Sequence, residues 1–197
     1  MIRLSLPITL AAVVAIAGCS PAPDASDETA PAGETGAENA AADAASPETL
    51  GSAALALADG TSAGTVALLS NGTALSLKIA VTGLPEGTHG FHLHTTGQCT
   101  APDFTSAGGH LNPAGREHGH ENPAGSHLGD LPNLEVGADG TASTTVDLDD
   151  GADGAIESLF DADGTAVVVH ADPDDYRTDP TGNAGSRIAC GVLERGA

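Results

Sequence analysis

The chain has no tryptophan, one tyrosine and three phenylalanines among 197 residues, so aromatics make up only 2%. A core must therefore be filled by Val, Leu, Ile and Ala. Lysine and arginine together number six against 27 Asp and Glu, for a formal net charge of −21. That balance makes nucleic acid and anionic lipid surfaces poor partners, because both need cationic groups to meet phosphate. Outside residues 1–18 no apolar run approaches the roughly 20 residues that span a bilayer. No long helical period is present either, and there are only three cysteines.

Residues 1–18, MIRLSLPITLAAVVAIAG, place one arginine ahead of a short apolar run that closes in I-A-G-C at Cys19. This reads as an export signal. The ending resembles the bacterial lipobox, in which the cysteine is lipidated and becomes the first mature residue. Ser20 at the next position resembles lipoproteins sent to the outer membrane. The expectation is a chain of the bacterial cell envelope, facing the periplasm and meeting the membrane only through a lipid anchor at Cys19. Residues 19–49 follow as an acidic tether rich in Ala and Pro; from Ser20 to Thr49 it has no Lys, Arg, Ile, Val or Phe and cannot bury enough apolar surface to offset its ordering entropy. That leaves residues 50–197 as one domain. With Cys19 set aside for lipid, Cys99 and Cys190 remain; an oxidising compartment would let them join, although counting alone leaves the pairing open.

Eight segments of the domain read as strands between Gly, Asn, Asp and Pro punctuation: SAALALA, GTVALLS, ALSLKIAV, HGFHLHTT, TASTTVDL, AIESLF, TAVVVHA and RIACGVLE. In the third, Leu75, Leu77, Ile79 and Val81 alternate with Ser76 and Lys78, so one face is core. Ser70-Asn71-Gly72 marks a hairpin, with Asn-Gly suited to the positive φ angles of a type I′ turn. The pattern predicts an all-β antiparallel sandwich or closed barrel. Residues 95–132 and 171–186 are long connections poor in core residues, and loops of that length are usually functional.

These loops and the strands beside them hold most of the eight histidines. His92 and His94 stand two apart in a strand, so both imidazoles project to one side and can converge on one ion. Downstream, His110, His118, His120, His127 and Asp130 fall within 21 residues. Three imidazoles and a carboxylate are the ligand types of a four-coordinate zinc site. His118 and His120 compete there, and spacing does not separate them. His170 ends an apolar strand, and Asp174 follows four residues later as a candidate acceptor fixing an imidazole tautomer.

The segments GFHLH, AGGHLNP, REHG, SHLGDL, VVVHADPDD and GNAGSRIACGV resemble, in order, those of the copper/zinc superoxide dismutase family, over about Leu55 to Leu193. The resemblance implies an eight-stranded antiparallel Greek-key β-barrel of immunoglobulin-like sandwich topology with two long functional loops. It implies copper held by His92, His94, His110 and His170, and zinc held by His110, His118, His127 and Asp130, with the His110 ring bridging the two ions. Superoxide would be disproportionated to dioxygen and hydrogen peroxide, protecting the envelope. Asp174 would link the far nitrogens of His92 and His118, which decides for His118 over His120 and leaves His120 as a solvated loop residue. Arg187, in GNAGSR, would guide the anion, and His89 would be a buried structural histidine. Cys99 and Cys190 would form the family's disulfide. The second loop lacks the Glu and Lys cluster of many eukaryotic members, with Arg177 its one candidate substitute. Extra residues near Ala101–Thr105 leave a homodimer open. The competing reading is an envelope lipoprotein that binds or buffers copper and zinc without turnover.

Overall fold

In LSLKIAV the odd-numbered side chains Leu75, Leu77, Ile79 and Val81 are buried while Lys78 and Ala80 are exposed, the pattern of a strand with one face on a core. The same logic repeats along the chain. The computed structural model describes residues 46–148 and 152–196; the export signal, Cys19 and the tether up to residue 45 lie outside them. Nine strands are found among the described residues: β1 (Glu48–Leu57), β2 (Ser62–Ser70), β3 (Leu75–Val81), β4 (Gly87–His89), β5 (Phe91–His94), β6 (Leu134–Val136), β7 (Ala142–Asp147), β8 (Thr165–His170) and β9 (Arg187–Arg195). β1 starts two residues inside the stretch read as tether.

Seven of the strands form one antiparallel sheet in the order β5-β8-β9-β1-β2-β3-β7, and β4 pairs with β6. β4 runs into β5 across Gly90, and a tight turn from Gly137 to Thr141 joins β6 to β7. The sheet thus curls into the all-β Greek-key barrel that was expected. Counting β4 and β5 as one kinked strand gives eight, but not the eight segments read from the sequence. AIESLF belongs to α1 (Ala152–Leu159) and the residue after it. Its apolar residues repeat at a spacing of four, with Ala155 and Leu159 buried and Ile156 and Phe160 partly buried, which is one helical face rather than an alternating strand. β6, only three residues long, is too short to show any period.

The β2–β3 hairpin forms, but not through a two-residue type I′ turn. Ser70 pairs with Leu75, so four residues make the loop. Of Asn71 and Gly72 only Gly72 has positive φ, at 92°. The Asn71 side chain instead accepts hydrogen bonds from the backbone of Thr73 and Ala74.

Every residue of β8 is buried. Val167 and Val169 point into the main core, while Ala166 and Val168 meet a second cluster with Phe104, Ala107 and Cys190 on the outer face. The first long loop supplies Phe104 and Ala107, so it is a lid packed on the barrel wall. Burying a Phe side chain there contributes about 2–3 kcal/mol. The Cys99–Cys190 disulfide, with Cα atoms 5.6 Å apart, staples the loop to β9 across 91 positions of sequence.

Candidate metal centre

β5 lies beside β8 with His92 opposite Val168 and His94 opposite Ala166. Opposed residues share a face, so both imidazoles stand on the outer wall under the loop, while Phe91 and Leu93 point into the core. The loop runs back along the free edge of β5. Leu93 N–H donates to Gly129 O, Leu111 N–H donates to Leu93 O, and Thr95 N–H donates to Gly109 O. This pins Asp130 beside His92 and His110 beside His94. Gly129 is required for the approach, because a Cβ there would lie 2.2 Å from the Leu93 carbonyl oxygen. The last member, His170, reaches the same wall from the end of β8, opposite Arg187.

Two sets of donor atoms result. One nitrogen from each of His92, His94, His110 and His170 falls within 4.8 Å of the others, and so do one atom each from His110, His118, His127 and Asp130. His110 is common to both, and its ring centre lies 4.0 Å from that of His92 and 5.5 Å from that of His127. All seven side chains are at most 7% exposed.

The far nitrogens are committed elsewhere. His94 Nδ1–H donates to Gly108 O at 3.0 Å, and His170 Nδ1–H donates to Gly185 O at 3.2 Å. A carbonyl only accepts, so Nε2 of each ring is left with its lone pair. Asp174 accepts from His92 Nε2 at 2.6 Å and from His118 Nε2 at 3.0 Å, which frees Nδ1 of both rings. Around Asp130 Oδ1, Nδ1 of His110, His118 and His127 lie at 2.8, 3.0 and 3.0 Å. The His118 contact satisfies distance but not hydrogen-bond alignment, so His118 Nδ1, like His92 Nδ1 and His110 Nε2, is a buried atom without a hydrogen-bond partner. Such orphans cost about 1–3 kcal/mol each unless a ligand meets them. Here all three belong to the two donor sets.

Electrostatics favours neutral imidazole in the first set. Burial, aided by neighbouring rings, holds His94 down to about 2, His170 to about 3 and His110 to about 4. His92 is lowered too, by burial that outweighs its bond to Asp174. His118 is the exception: burial works to lower it, but Asp130 and Asp174 together push it up to about 9. Burial works to raise Asp130 and Asp174, yet the hydrogen bonds they accept keep both well below the usual carboxylate range. Four neutral nitrogens suit copper, and three nitrogens with one carboxylate suit tetrahedral zinc, so the residues present fit both ions.

Arg187 donates from Nη1 to Phe104 O at 2.6 Å and from Nη2 to Gly108 O at 2.5 Å. Gly108 O therefore holds His94 and Arg187 at once. His89 is buried with its nitrogens 2.8 Å from His170 O and 3.0 Å from Pro85 O, a structural position as expected. His120 stays out of both sets, its Nε2 donating to Asp130 O at 2.9 Å. Arg177 is committed to Glu121 on the other loop. Sequence reasoning missed Asn133, whose side-chain amide donates to Asp174 O and accepts from Asp174 N–H. It also missed Tyr176, at φ 60°, whose N–H meets Asp174 Oδ1 at 2.6 Å. Neither carries metal-ligand chemistry that would single it out.

Residues 62–193 match the family model described as copper/zinc superoxide dismutase (SODC). The superoxide dismutase-like protein YojM of Bacillus subtilis (strain 168) is 46% identical over 127 residues, covering 63% of this chain and 65% of its own length. A Cu-Zn superoxide dismutase of Caulobacter vibrioides is 45% identical over 142 residues, 69% of this chain and 80% of that protein. Among solved structures, a SOD-like protein from Bacillus subtilis aligns with TM-score 0.69 at 39% identity, covering 76% of this chain and all of that one (100%). Cu/Zn superoxide dismutase from Brucella abortus aligns with TM-score 0.57 at 32% identity, covering 73% of this chain and 98% of that one.

Proposed function

The chain belongs to the copper/zinc superoxide dismutase family, with copper and zinc as its cofactors, and from that premise we propose that it disproportionates superoxide in the bacterial envelope. We assign copper to His92, His94, His110 and His170, and zinc to His110, His118, His127 and Asp130. The carrying observation is that two complete four-donor sets share the His110 ring. Bound there, copper supplies a one-electron couple that turns two superoxide anions and two protons into dioxygen and hydrogen peroxide, and zinc supplies fixed positive charge.

The protein's own groups do the rest. His110 faces the first set with Nε2 and the second with Nδ1, and Nε2 is the atom we assign to take up and release a proton during turnover. Asp174, Gly108 O and Gly185 O hold His92, His94 and His170 in the tautomers that leave donor lone pairs. Arg187 is fixed in plane by two carbonyls, and its remaining N–H groups offer an anion forked donors next to His94. Envelope placement through a lipid on Cys19 rests on the I-A-G-C ending and the polar tether behind it.

Arg187→Ala is the test. Loaded with both metals, the variant should keep its metal content and lose roughly tenfold or more of superoxide turnover. Unchanged turnover contradicts the role given to Arg187. The family also includes relatives named superoxide dismutase-like, which favours one rival, metal binding without turnover. That rival predicts full metal content and no superoxide decay above background in the wild-type protein.

A further inference from the structure

A cavity of about 610 Å³ lies between the first long loop and β7. Its origin is visible in the register. Thr144 pairs with Ile79, which is fully buried, so both side chains share the core face of the sheet; yet Thr144 is exposed. Among the described residues β6 and β7 form no ladder beyond their turn, and the barrel wall parts there. The opening is faced from the loop side by His127 and Asp130, two members of the second donor set, together with His120. None of His92, His94 or His170 lines it.

The chemistry of this opening suits a cation. Asp147, an exposed carboxylate at the end of β7, lines one wall together with Thr144 and Thr145. On the other is His120, whose Nε2–H is held by Asp130 O, leaving Nδ1 with its lone pair. At the first donor set the charge is opposite, because the Arg187 guanidinium stands close enough to His94 and His170 to disfavour added positive charge there. An approach beside Arg187 favours an anion. Of the second set, His127 and Asp130 line this opening, whereas His110 and His118 do not.

From this we infer that the cavity is the loading route for the divalent cation of the second set, with His120 and Asp147 as outer groups that capture it before it reaches His127 and Asp130. The second set's cation and superoxide thereby enter by different doors. The inference rests on the assignment of zinc to His110, His118, His127 and Asp130.

The experiment follows uptake of cobalt(II), alone, by the metal-free full chain, using the visible absorption that develops when the ion enters a tetrahedral site. His120→Gln keeps a donor for the Asp130 carbonyl but offers a poor ligand, Asp147→Asn removes the charge, and Thr144→Trp fills the opening. Each should slow uptake about tenfold while the final absorption spectrum, and the affinity read by chelator competition, stay at wild-type values. Copper(II) uptake by zinc-loaded protein should be unaffected. Wild-type uptake rates in all three variants overturn the route, and so does a loss of affinity that accounts for the slower rate. A wild-type chain that binds no cobalt(II) at equilibrium overturns the zinc assignment itself, a separate result.

Discussion

Replacing Asp174 with Asn exchanges one carboxylate oxygen for an NH2 group at a point where both oxygens are in use. Oδ1 accepts from Tyr176 N–H at 2.6 Å and from His118 Nε2 at 3.0 Å, whereas Oδ2 serves only His92, at 2.6 Å. The backbone donor cannot change sign, so the amide oxygen of the variant takes the Oδ1 position and its NH2 faces His92 Nε2–H. Two donors then oppose one another. His92 can relieve this only by moving its proton to Nδ1, the very atom it must present to an ion. Losing one hydrogen bond to a charged acceptor costs about 1.5–3 kcal/mol, which at about 1.4 kcal/mol per tenfold is roughly 10–100-fold in affinity. That range matches what removal of an outer partner of a ligating histidine usually costs. Asp174→Asn should therefore release copper that much more readily in a chelator competition, while zinc retention stays near wild type. Copper affinity unchanged, or zinc lost first, refutes the reasoning.

Two other expectations follow from the same chain. In the metal-free protein, His94, His110 and His170 are held at about 2, 4 and 3, far below the ordinary 6.5; below pH 6.5 the unfolded chain takes up protons that the native rings refuse, so stability falls with pH, by up to about 2 kcal/mol per ring between pH 6.5 and 5. His118, raised to about 9, has the opposite sign, its contribution being complete below pH 6.5 and lost as pH rises toward 9. The carboxylates hold their contribution above about pH 4 and do not alter this window. Urea unfolding at pH 5, 6.5 and 8 should give the lowest midpoint at pH 5, and equal or greater stability at pH 5 would contradict the burial of neutral rings. For the anchor, labelled palmitate should enter the wild-type protein in cells and not the Cys19→Ser form; equal labelling, or none in either, rules out lipid at that position.

How far the sequence could be read depended on whether a feature lives in side-chain type or in backbone path. The alternation of Leu75, Leu77, Ile79 and Val81 and the pair His92 and His94 are one-strand properties, and both hold in the fold. The ligand types of the second set were legible from local crowding of imidazoles, but the choice of His118 over His120 needed the family resemblance. α1 was misread because six residues with a spacing of four also admit an alternating reading. The groups that fix tautomers were hidden for a different reason: Gly108 O and Gly185 O are backbone carbonyls, and any residue carries one. Only the loop path aims them. Likewise Arg177, the candidate substitute for the missing Glu and Lys cluster, is brought to Glu121 by the path of the second loop.

In the assignment made above, the single ring of His110 serves both ions. Copper(II) placed in the first set with cobalt(II) in the second should have its electron spin resonance signal suppressed, because two paramagnetic ions joined by a single imidazole ring exchange-couple through it. The His110→Ala form, if it still binds both ions, should show the full copper signal. An undiminished copper signal in the wild-type copper–cobalt protein would contradict the shared ring.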